Sequence, residues 1–192
     1  IVFAPVFFLT TTPFLDGFTS DYDGTILGQI TDLSLVSIAQ PLAARAGLKT
    51  AVKTAWGCDL PAPGRWLTGD DGRLRLMCTG PDGFMVLMPA NSSPAVLGVT
   101  SALSGAGYCC DQSDNWVILR LSGPLAVAAL ERICPVDIHP AALAAGSFAR
   151  TVMEHLGAIV MREADDTFLL LSASSSARSF LQAIETSLKY VS

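Results

Sequence analysis

Three residues in one short stretch of the sequence have side chains that could perform nucleophilic catalysis. Cys134, Asp137 and His139 lie close together, and a thiol, a carboxylate and an imidazole can act as nucleophile, orienting group and base. However, Cys134 ends a predicted helix, where the helix dipole disfavours a thiolate. Asp137 capping a short helix that begins at His139-Pro140 accounts for the same residues. We therefore predict that the chain contains no catalytic residue.

The sequence offers few candidate ligands for a metal, a nucleotide or an anion. His139 and His155 are the only histidines, and neither has the close Cys/His spacing of a zinc site. The GxGxxG and GxxxxGK[ST] patterns are absent, so dinucleotides and nucleoside triphosphates are not expected to bind in the usual ways. Arg150, Arg162 and Arg178 could form a small-anion site or an intersubunit salt bridge, and the sequence favours neither. We predict no cofactor-binding and no metal-binding residue.

Two pairs of adjacent carboxylates also attract attention as possible acid and base. Asp70 and Asp71 precede Gly72 and an alternating strand pattern, and Asp165-Asp166 separates two predicted strands. Asp and Gly at such positions are typical of tight turns. We therefore interpret both pairs as turns.

The Cys134 stretch follows a strand-to-helix unit around which the chain is organised. Residues 116–121 form a short apolar run rich in β-branched and aromatic side chains, which predicts a strand buried on both faces. Gly123 can adopt the backbone angles of a sharp turn, and Pro124 suits the first turn of a helix. Apolar residues then recur at helical spacing, which predicts a helix that packs on the sheet and stops at Pro135.

The same order of elements occurs earlier in the chain. The strand pattern at 33–38 leads to Gln40-Pro41-Leu42-Ala43, as the later strand leads to Gly123-Pro124-Leu125-Ala126. Candidate hairpins at 73–88 and 158–171 hold the same relative place in each copy, and each copy closes with a helix. A repeat of roughly 80 residues has the size of a half-domain.

The duplication predicts the fold class and the domain organisation. We expect an α+β fold built from two pseudo-repeated β-α-β-β-β-α subdomains, at about 33–105 and 106–192. Together they form a single duplicated domain over residues 33–192.

We expect residues 1–32 to form an extended N-terminal arm. The first nine residues, IVFAPVFFL, lack a basic segment before the apolar run and are too short to span a bilayer. Residues 10–23, with their proline and glycine, are typical of irregular chain. An apolar arm that lies on a partner protein is the favoured interpretation, and its candidate contact residues are Val2, Phe3, Phe7, Phe8, Leu9 and Phe14.

Composition excludes some classes of partner. The net charge is −5 without a Lys/Arg cluster, which argues against nucleic acid. Charged residues make up 15% of the chain, against about a quarter in typical domains, and no apolar run has membrane length. We infer that other subunits cover part of the apolar surface. Five cysteines among apolar residues, without a CxxC pair, predict buried, reduced thiols and a cytoplasmic protein.

Several motifs, taken as an ordered set, resemble those of the gamma subunits of heterotetrameric sarcosine oxidases. The resemblance covers about residues 33–188, with Gly83-Phe84 in place of an acidic-aromatic pair. The motifs that carry it are Gly80-Pro81-Asp82, Asp111-Gln112-Ser113, Leu121-Ser122-Gly123-Pro124, Cys134-Pro135-Val136-Asp137-Ile138-His139-Pro140 and Ser175-Ser176-Ala177-Arg178-Ser179-Phe180.

The resemblance implies a fold and a set of partners. The fold is that of the folate-binding domain of glycine-cleavage aminomethyltransferases, in which the two subdomains swap strands. The function is that of a non-catalytic subunit, packed mainly on the alpha subunit, of a flavin enzyme that converts sarcosine, tetrahydrofolate and O2 to glycine, methylenetetrahydrofolate and H2O2. The family's alpha and beta subunits carry NAD, FAD and FMN and work with tetrahydrofolate. The delta subunit carries zinc, and the gamma subunit carries no cofactor.

Two alternatives stay open at this point. The first is a stand-alone folate-binding, aminomethyltransferase-like protein, and the second is the equivalent subunit of another N-methyl amino acid oxidase or dehydrogenase. The folate enzymes place an Asn and an Asp after a strand and at the head of the next helix. Here residues 171–176 contain no carboxylate, and residues 91–94 contain Asn91 without an acid, which favours the accessory subunit.

Overall fold

Two antiparallel sheets form the centre of the fold. The computed structural model describes residues 12–42, 45–91 and 93–192. The six-stranded sheet contains, in spatial order, β1 (Thr19–Tyr22), β2 (Thr25–Ile30), β8 (Trp116–Ser122), β11 (Thr167–Ala173), β10 (Leu156–Ala164) and β9 (Phe148–Met153). The five-stranded sheet contains β4 (Trp66–Thr68), β5 (Arg75–Gly80), β6 (Gly83–Pro89), β3 (Leu33–Ala39) and β7 (Tyr108–Asp111).

Helices cover the outer face of each sheet. The described helices are α1 (Arg45–Trp56), α2 (Ala95–Leu103), α3 (Ala126–Ile133) and α4 (Ala177–Val191). One apolar cluster joins α3 and α4 to the six-stranded sheet, and a second joins α1 and α2 to the five-stranded sheet. A third cluster lies between the sheets, where Leu35, Met77 and Leu87 meet residues such as Ile159 and Leu171. The molecule is therefore a four-layer sandwich of helices, sheet, sheet and helices.

The two halves of the chain exchange strands. β2 pairs with β8 of the second half, and β7 pairs with β3 of the first half. The remaining strand orders also correspond, since β8-β11-β10-β9 in one sheet matches β3-β6-β5-β4 in the other. The prediction of two swapped, pseudo-repeated subdomains in an α+β fold is confirmed.

A symmetric bridge joins the two sheets where β4 and β9 begin. The Trp66 N–H donates to the Gly146 carbonyl at 3.1 Å, and the Phe148 N–H donates to the Gly64 carbonyl at 3.0 Å. Arg65 and Ser147 form the antiparallel bridge between these two bonds. Because each bond is the counterpart of the other in the opposite half, the bridge marks the pseudo-two-fold relation between the repeats.

The turn predicted at Gly123 is confirmed, and its cause lies in a distant segment. Gly123 has a φ of 137°, and a Cβ there would lie 2.5 Å from the Gly24 carbonyl oxygen and 2.6 Å from the Thr25 Cα. The buried Thr25 hydroxyl accepts a hydrogen bond from the Leu125 N–H at 2.9 Å. A glycine is required because the backbone before β2 packs directly on the start of α3.

Residues 19–30 differ from the expected irregular chain and arm. β1 and β2 form a hairpin, and β2 lies inside the six-stranded sheet. This segment mixes polar residues with single apolar residues, so its sequence shows no clear strand pattern. β2 forms a strand because it pairs with β8, which is far away in sequence. The domain division at residue 33 stays a prediction.

Replacement of Leu27 tests how strongly β2 belongs to the core. Leu27 is fully buried, whereas its neighbour Ile26 is 44% exposed. We expect Leu27→Ala to lower the free energy of unfolding by about 3 kcal/mol, because it opens a cavity under α3 and α4. The matched control Ile26→Ala should cost less than about 1 kcal/mol. Urea unfolding measures both, and equal losses would contradict the assignment of β2 to the core.

Candidate functional site

The structure does not join Cys134, Asp137 and His139 into a catalytic constellation. The Cys134 thiol is buried in the apolar cluster beneath α3 and makes no hydrogen bond to either of the other two side chains. The Asp137 carboxylate accepts the His139 N–H at 2.9 Å, and His139 Nδ1 accepts the Ala141 N–H at 3.2 Å. The Asp137 carboxylate thus accepts a backbone N–H, but the expected short helix at His139-Pro140 is wrong, because this segment forms a hydrogen-bonded turn.

Arg162 holds this turn in place. Its side chain is 1% exposed. Nη1 donates to the backbone carbonyls of Ile138 at 2.6 Å and Leu143 at 3.2 Å. Nε donates to the backbone carbonyl of Ala164 at 3.2 Å, and Nη2 donates to the backbone carbonyl of Asp165. The guanidinium donates to backbone carbonyls on both sides of this turn, so it ties the turn to the end of β10.

The predicted anion site or intersubunit salt bridge does not fit Arg162, because its charge is enclosed within the fold. Arg150 and Arg178 are exposed, and neither makes an ion pair with the described residues. Nothing in the structure favours either use for these two side chains.

A charge cluster lies between the sheets. Glu163 of β10 binds Arg75 of β5, whose guanidinium also lies 5.8 Å from the centre of the Trp66 ring. Arg120 Nη2 lies 3.1 Å from Glu163 Oε2 but is not oriented for a hydrogen bond, so Glu163 Oε2 is buried without a hydrogen-bond partner. Trp66 Nε1 is also buried without a hydrogen-bond partner. This cluster ties the two sheets together.

A cleft of about 590 Å³ opens where the chain crosses from one sheet to the other. We call this cavity the crossover cleft. It is lined by residues from segments 12–14, 29–34, 90–91, 93–95 and 111–118. Two of these segments, the β2–β3 and β7–β8 connections, are counterparts in the two repeats. The cleft is therefore a product of the strand exchange, and the sequence analysis missed it.

Hydrogen bonds between the segments hold the walls of the crossover cleft. Leu35 exchanges bonds with the β7–β8 connection: its carbonyl accepts the Gln112 N–H at 2.8 Å, and its N–H donates to the Ser113 hydroxyl at 3.1 Å. The Gln29 side-chain oxygen accepts the N–H groups of Leu15 at 3.2 Å and Gly17 at 3.1 Å. The cleft is thus preformed rather than dependent on loose loops.

The lining of the crossover cleft combines apolar and acidic residues. Trp116 is half-buried and Ile118 is buried, whereas Asp111 and Asp114 are exposed. No Lys, Arg or His occurs among the described residues that line it. Asn91, singled out in the sequence, also lies here, with its side-chain oxygen accepting the Ser93 N–H at 3.1 Å.

Perturbed groups lie away from this cleft. The backbone N–H groups of Arg73 and Leu74 donate to Asp71 and hold the pKa of that carboxyl below its usual value, as expected for the predicted turn. Burial raises the pKa of the Cys58 thiol. Burial, with the hydrogen bond to Glu185, raises the pKa of Tyr22. These shifts follow from local structure and mark no reaction centre.

No group of three or more His, Cys, Asp or Glu side chains in the described part of the chain could hold a metal ion. Within the same ranges, no helix combines the length and the apolar character needed to cross a membrane.

Of the six candidate contact residues of the N-terminal segment, Phe14 alone lies within the described residues. Val2, Phe3, Phe7, Phe8 and Leu9 lie outside the described residues. Phe14 is 39% exposed and lines the crossover cleft.

The expectation of five buried thiols is wrong for Cys110. All five cysteines are free, and Cys58, Cys78 and Cys134 are buried, but Cys109 is half-buried and Cys110 is exposed. Both lie on β7, which is at the edge of its sheet and pairs only with β3 within the described residues. The apolar neighbours of Cys110 in sequence did not reveal that it lies at a sheet edge.

We expect Cys110 to react first when the full-length chain is treated with a thiol-specific disulfide reagent. The exposed Sγ is accessible, whereas burial protects Cys58, Cys78 and Cys134. Cys110→Ser should remove the fast phase of the reaction, measured by absorbance, and the adjacent control Cys109→Ser should retain it. A fast phase that survives in Cys110→Ser would contradict the placement of β7 at the edge.

We expect Arg162→Ala to lower the free energy of unfolding by about 3 kcal/mol or more, since four buried or partly buried carbonyls lose their donor. The exposed Arg150→Ala is the matched control and should change stability by less than about 0.5 kcal/mol. Chemical denaturation measures both. Similar small effects would show that the turn after α3 holds without Arg162.

The sequence is similar to curated sarcosine oxidase gamma subunits. It is 29% identical over 127 residues to the gamma subunit from Corynebacterium sp. strain U-96, a match that covers 65% of this chain and 61% of the relative. The gamma subunits from Corynebacterium sp. strain P-1 and Arthrobacter sp. are 27% and 28% identical, with 62% and 60% of their lengths covered. The matches span less than two thirds of these relatives. No family model matches the sequence.

Solved structures share the fold. A chain of the heterotetrameric sarcosine oxidase from Corynebacterium sp. U-96, in complex with pyrrole 2-carboxylate, aligns with a TM-score of 0.76 and 22% identity over 89% of this chain and 87% of that chain. Glycine cleavage system aminomethyltransferase T from Bartonella henselae aligns with a TM-score of 0.60 and 18% identity over 81% of this chain and 44% of that chain. The resemblance inferred from the motifs is confirmed: the chain is similar in sequence to sarcosine oxidase gamma subunits and has the fold that they share with aminomethyltransferases.

Proposed function

We propose that the chain is the gamma-type, non-catalytic subunit of a heterotetrameric, flavin-dependent sarcosine oxidase. The observation that carries this proposal is the agreement of two comparisons, since the sequence matches three gamma subunits and the fold matches a chain of such an oxidase. The role is structural: the chain packs on the alpha subunit and stabilises the assembly.

The surface supports a role in assembly. Large apolar side chains remain exposed on several elements of the described structure, which leaves apolar area for a partner to cover. The exposed side chains are Phe14, Ile26, Leu42, Leu67, Leu97, Tyr108, Val152 and Tyr190.

The placement of the potentially reactive groups agrees with chemistry performed elsewhere. The Cys134 thiol lies in the apolar core, and the Asp137 and His139 side chains are engaged with backbone N–H groups. These contacts stabilise a turn and orient no nucleophile. In the proposed assembly, the reaction of sarcosine with tetrahydrofolate and O2 takes place on other subunits.

The finer parts of the proposal concern partners, cofactors and location. The partners are the alpha, beta and delta subunits, which carry NAD, FAD, FMN and zinc and use tetrahydrofolate, while this chain binds none of them. The assembly works in the cytoplasm, in agreement with five cysteines that form no disulfide.

A stand-alone folate-binding protein is the alternative, and the crossover cleft is where the chain offers room for such a ligand. Folate carries a glutamate tail whose carboxylates need cationic partners. The described lining contains two carboxylates, Asp111 and Asp114, and no cationic side chain. Charge therefore opposes the anionic tail, and the accessory subunit is favoured.

Affinity purification of the tagged chain from its native host tests the proposal. We expect larger subunits to co-purify with a flavin absorbance spectrum, and the purified assembly to produce H2O2 from sarcosine. An untagged host strain is the control for non-specific capture. A lone, colourless chain would contradict the proposal.

Two further measurements separate the alternatives. Turnover of another N-methyl amino acid, with sarcosine left unreacted, would keep the assembly and change its substrate. Tight binding of tetrahydrofolate to the isolated full-length chain, measured by calorimetry, would favour the stand-alone folate protein.

A further inference from the structure

We propose that the crossover cleft binds a segment of a partner subunit in which a lysine or arginine stands beside apolar residues. This inference rests on the proposed function and specifies where the assembly contact lies on this chain. It follows from the charges, the apolar surface and the rigidity of the cleft.

The charges of the cleft select a cationic group. The Asp111 carboxylate accepts one N–H, from Ser113 at 2.9 Å, and no cation pairs with it in the described structure. Asp114 makes no hydrogen bond or ion pair with the described residues. Both carboxylates are exposed to solvent. Because the described lining contains no basic residue, the cleft attracts a positive side chain and repels an anion.

The apolar surface selects neighbours of that cation. The half-buried side chains of Trp116, Leu33 and Ile30 line the cleft with the buried Ile118, and a partly exposed tryptophan in a concave site is typical of residues that dominate binding energy. Apolar side chains of a partner would cover this surface while the basic group reaches Asp111 or Asp114.

The surface around the cleft favours a polypeptide over a small cation. Phe14 at the rim is 39% exposed, and Leu97 is 65% exposed one turn along α2 from Pro94, which lines the cleft. A small molecule held inside would leave both uncovered, whereas a protein segment that crosses the cleft would bury them.

The walls are ordered without the partner. Hydrogen bonds between Leu35 and residues Gln112 and Ser113 connect the two crossovers, and the Ala90 N–H donates to the Asp32 carbonyl at 2.8 Å. A preformed site loses little conformational entropy on binding, which favours a stable contact.

The double variant Asp111→Asn/Asp114→Asn tests the inference in the assembly reconstituted from tagged chain and purified partner subunits. Asparagine keeps the side-chain oxygen that accepts the Ser113 N–H, so the turn is retained. We expect the dissociation constant to rise at least about tenfold and its dependence on salt to weaken. Urea unfolding of the free variant verifies that it folds like the parent chain.

The matched control is Asp165→Asn/Asp166→Asn, which changes the net charge equally. These exposed residues lie in the turn beside Ser122, whereas the cleft lies at the Trp116 end of β8. We expect this control to assemble like the parent chain. Equal weakening by both double variants would reduce the effect to net charge and overturn the inference.

The remaining outcomes are distinguishable. A parent chain that fails to assemble contradicts the proposed function, and the inference falls with it. A parent and an Asp111→Asn/Asp114→Asn variant that assemble equally leave the proposed function standing and overturn the inference. Equal assembly together with thermal stabilisation of the parent alone by free arginine would assign the cleft to a small cation instead.

Discussion

The exchange of β2 and β7 between the halves is the constraint on which the fold depends. β2 extends the six-stranded sheet beside β8, β7 extends the five-stranded sheet beside β3, and the inner apolar faces of the two sheets cover each other. The symmetric bonds between residues 64–66 and 146–148 then join the sheets at the other end of the strand order. Neither repeat can bury its core alone, so the duplicated sequence folds as one cooperative unit.

The exchange also explains where the cleft lies. After each swapped strand, the chain passes from one sheet to the other. It does so in the β2–β3 and β7–β8 connections, which run past each other. Leu35 of β3 bonds to the β7–β8 connection through the Gln112 N–H and the Ser113 hydroxyl. Residues beside these bonds line the crossover cleft, and Ile30, Leu33 and Trp116 among them also pack against the core between the sheets. The cleft thus lies where the chain passes between the sheets.

Local signals predicted most elements and few of the long-range contacts. The apolar run at 116–121 and the sharp turn at Gly123 predicted a strand and a helix because each signal acts within a few residues. The repeat order predicted a duplicated α+β fold, and the exchange of strands followed from the resemblance. β1 and β2 were missed because their order comes from pairing with β8. The cleft was missed because Asp111, Asn91 and Phe14 meet only after the strands exchange, and no spacing in the sequence encodes that meeting.

The charged residues differ in whether their partners lie within this chain. Arg162 satisfies its donors on carbonyls inside the fold, and Glu163 is held by arginines from both sheets. Buried charges are thus compensated within the chain, as the cost of desolvation requires. Asp111 and Asp114 have no cationic partner in the described structure, although a shaped apolar surface lies beside them. Both residues are exposed, so water solvates their charge in the free chain, and in the proposed assembly the basic group of the partner segment supplies the counter-charge.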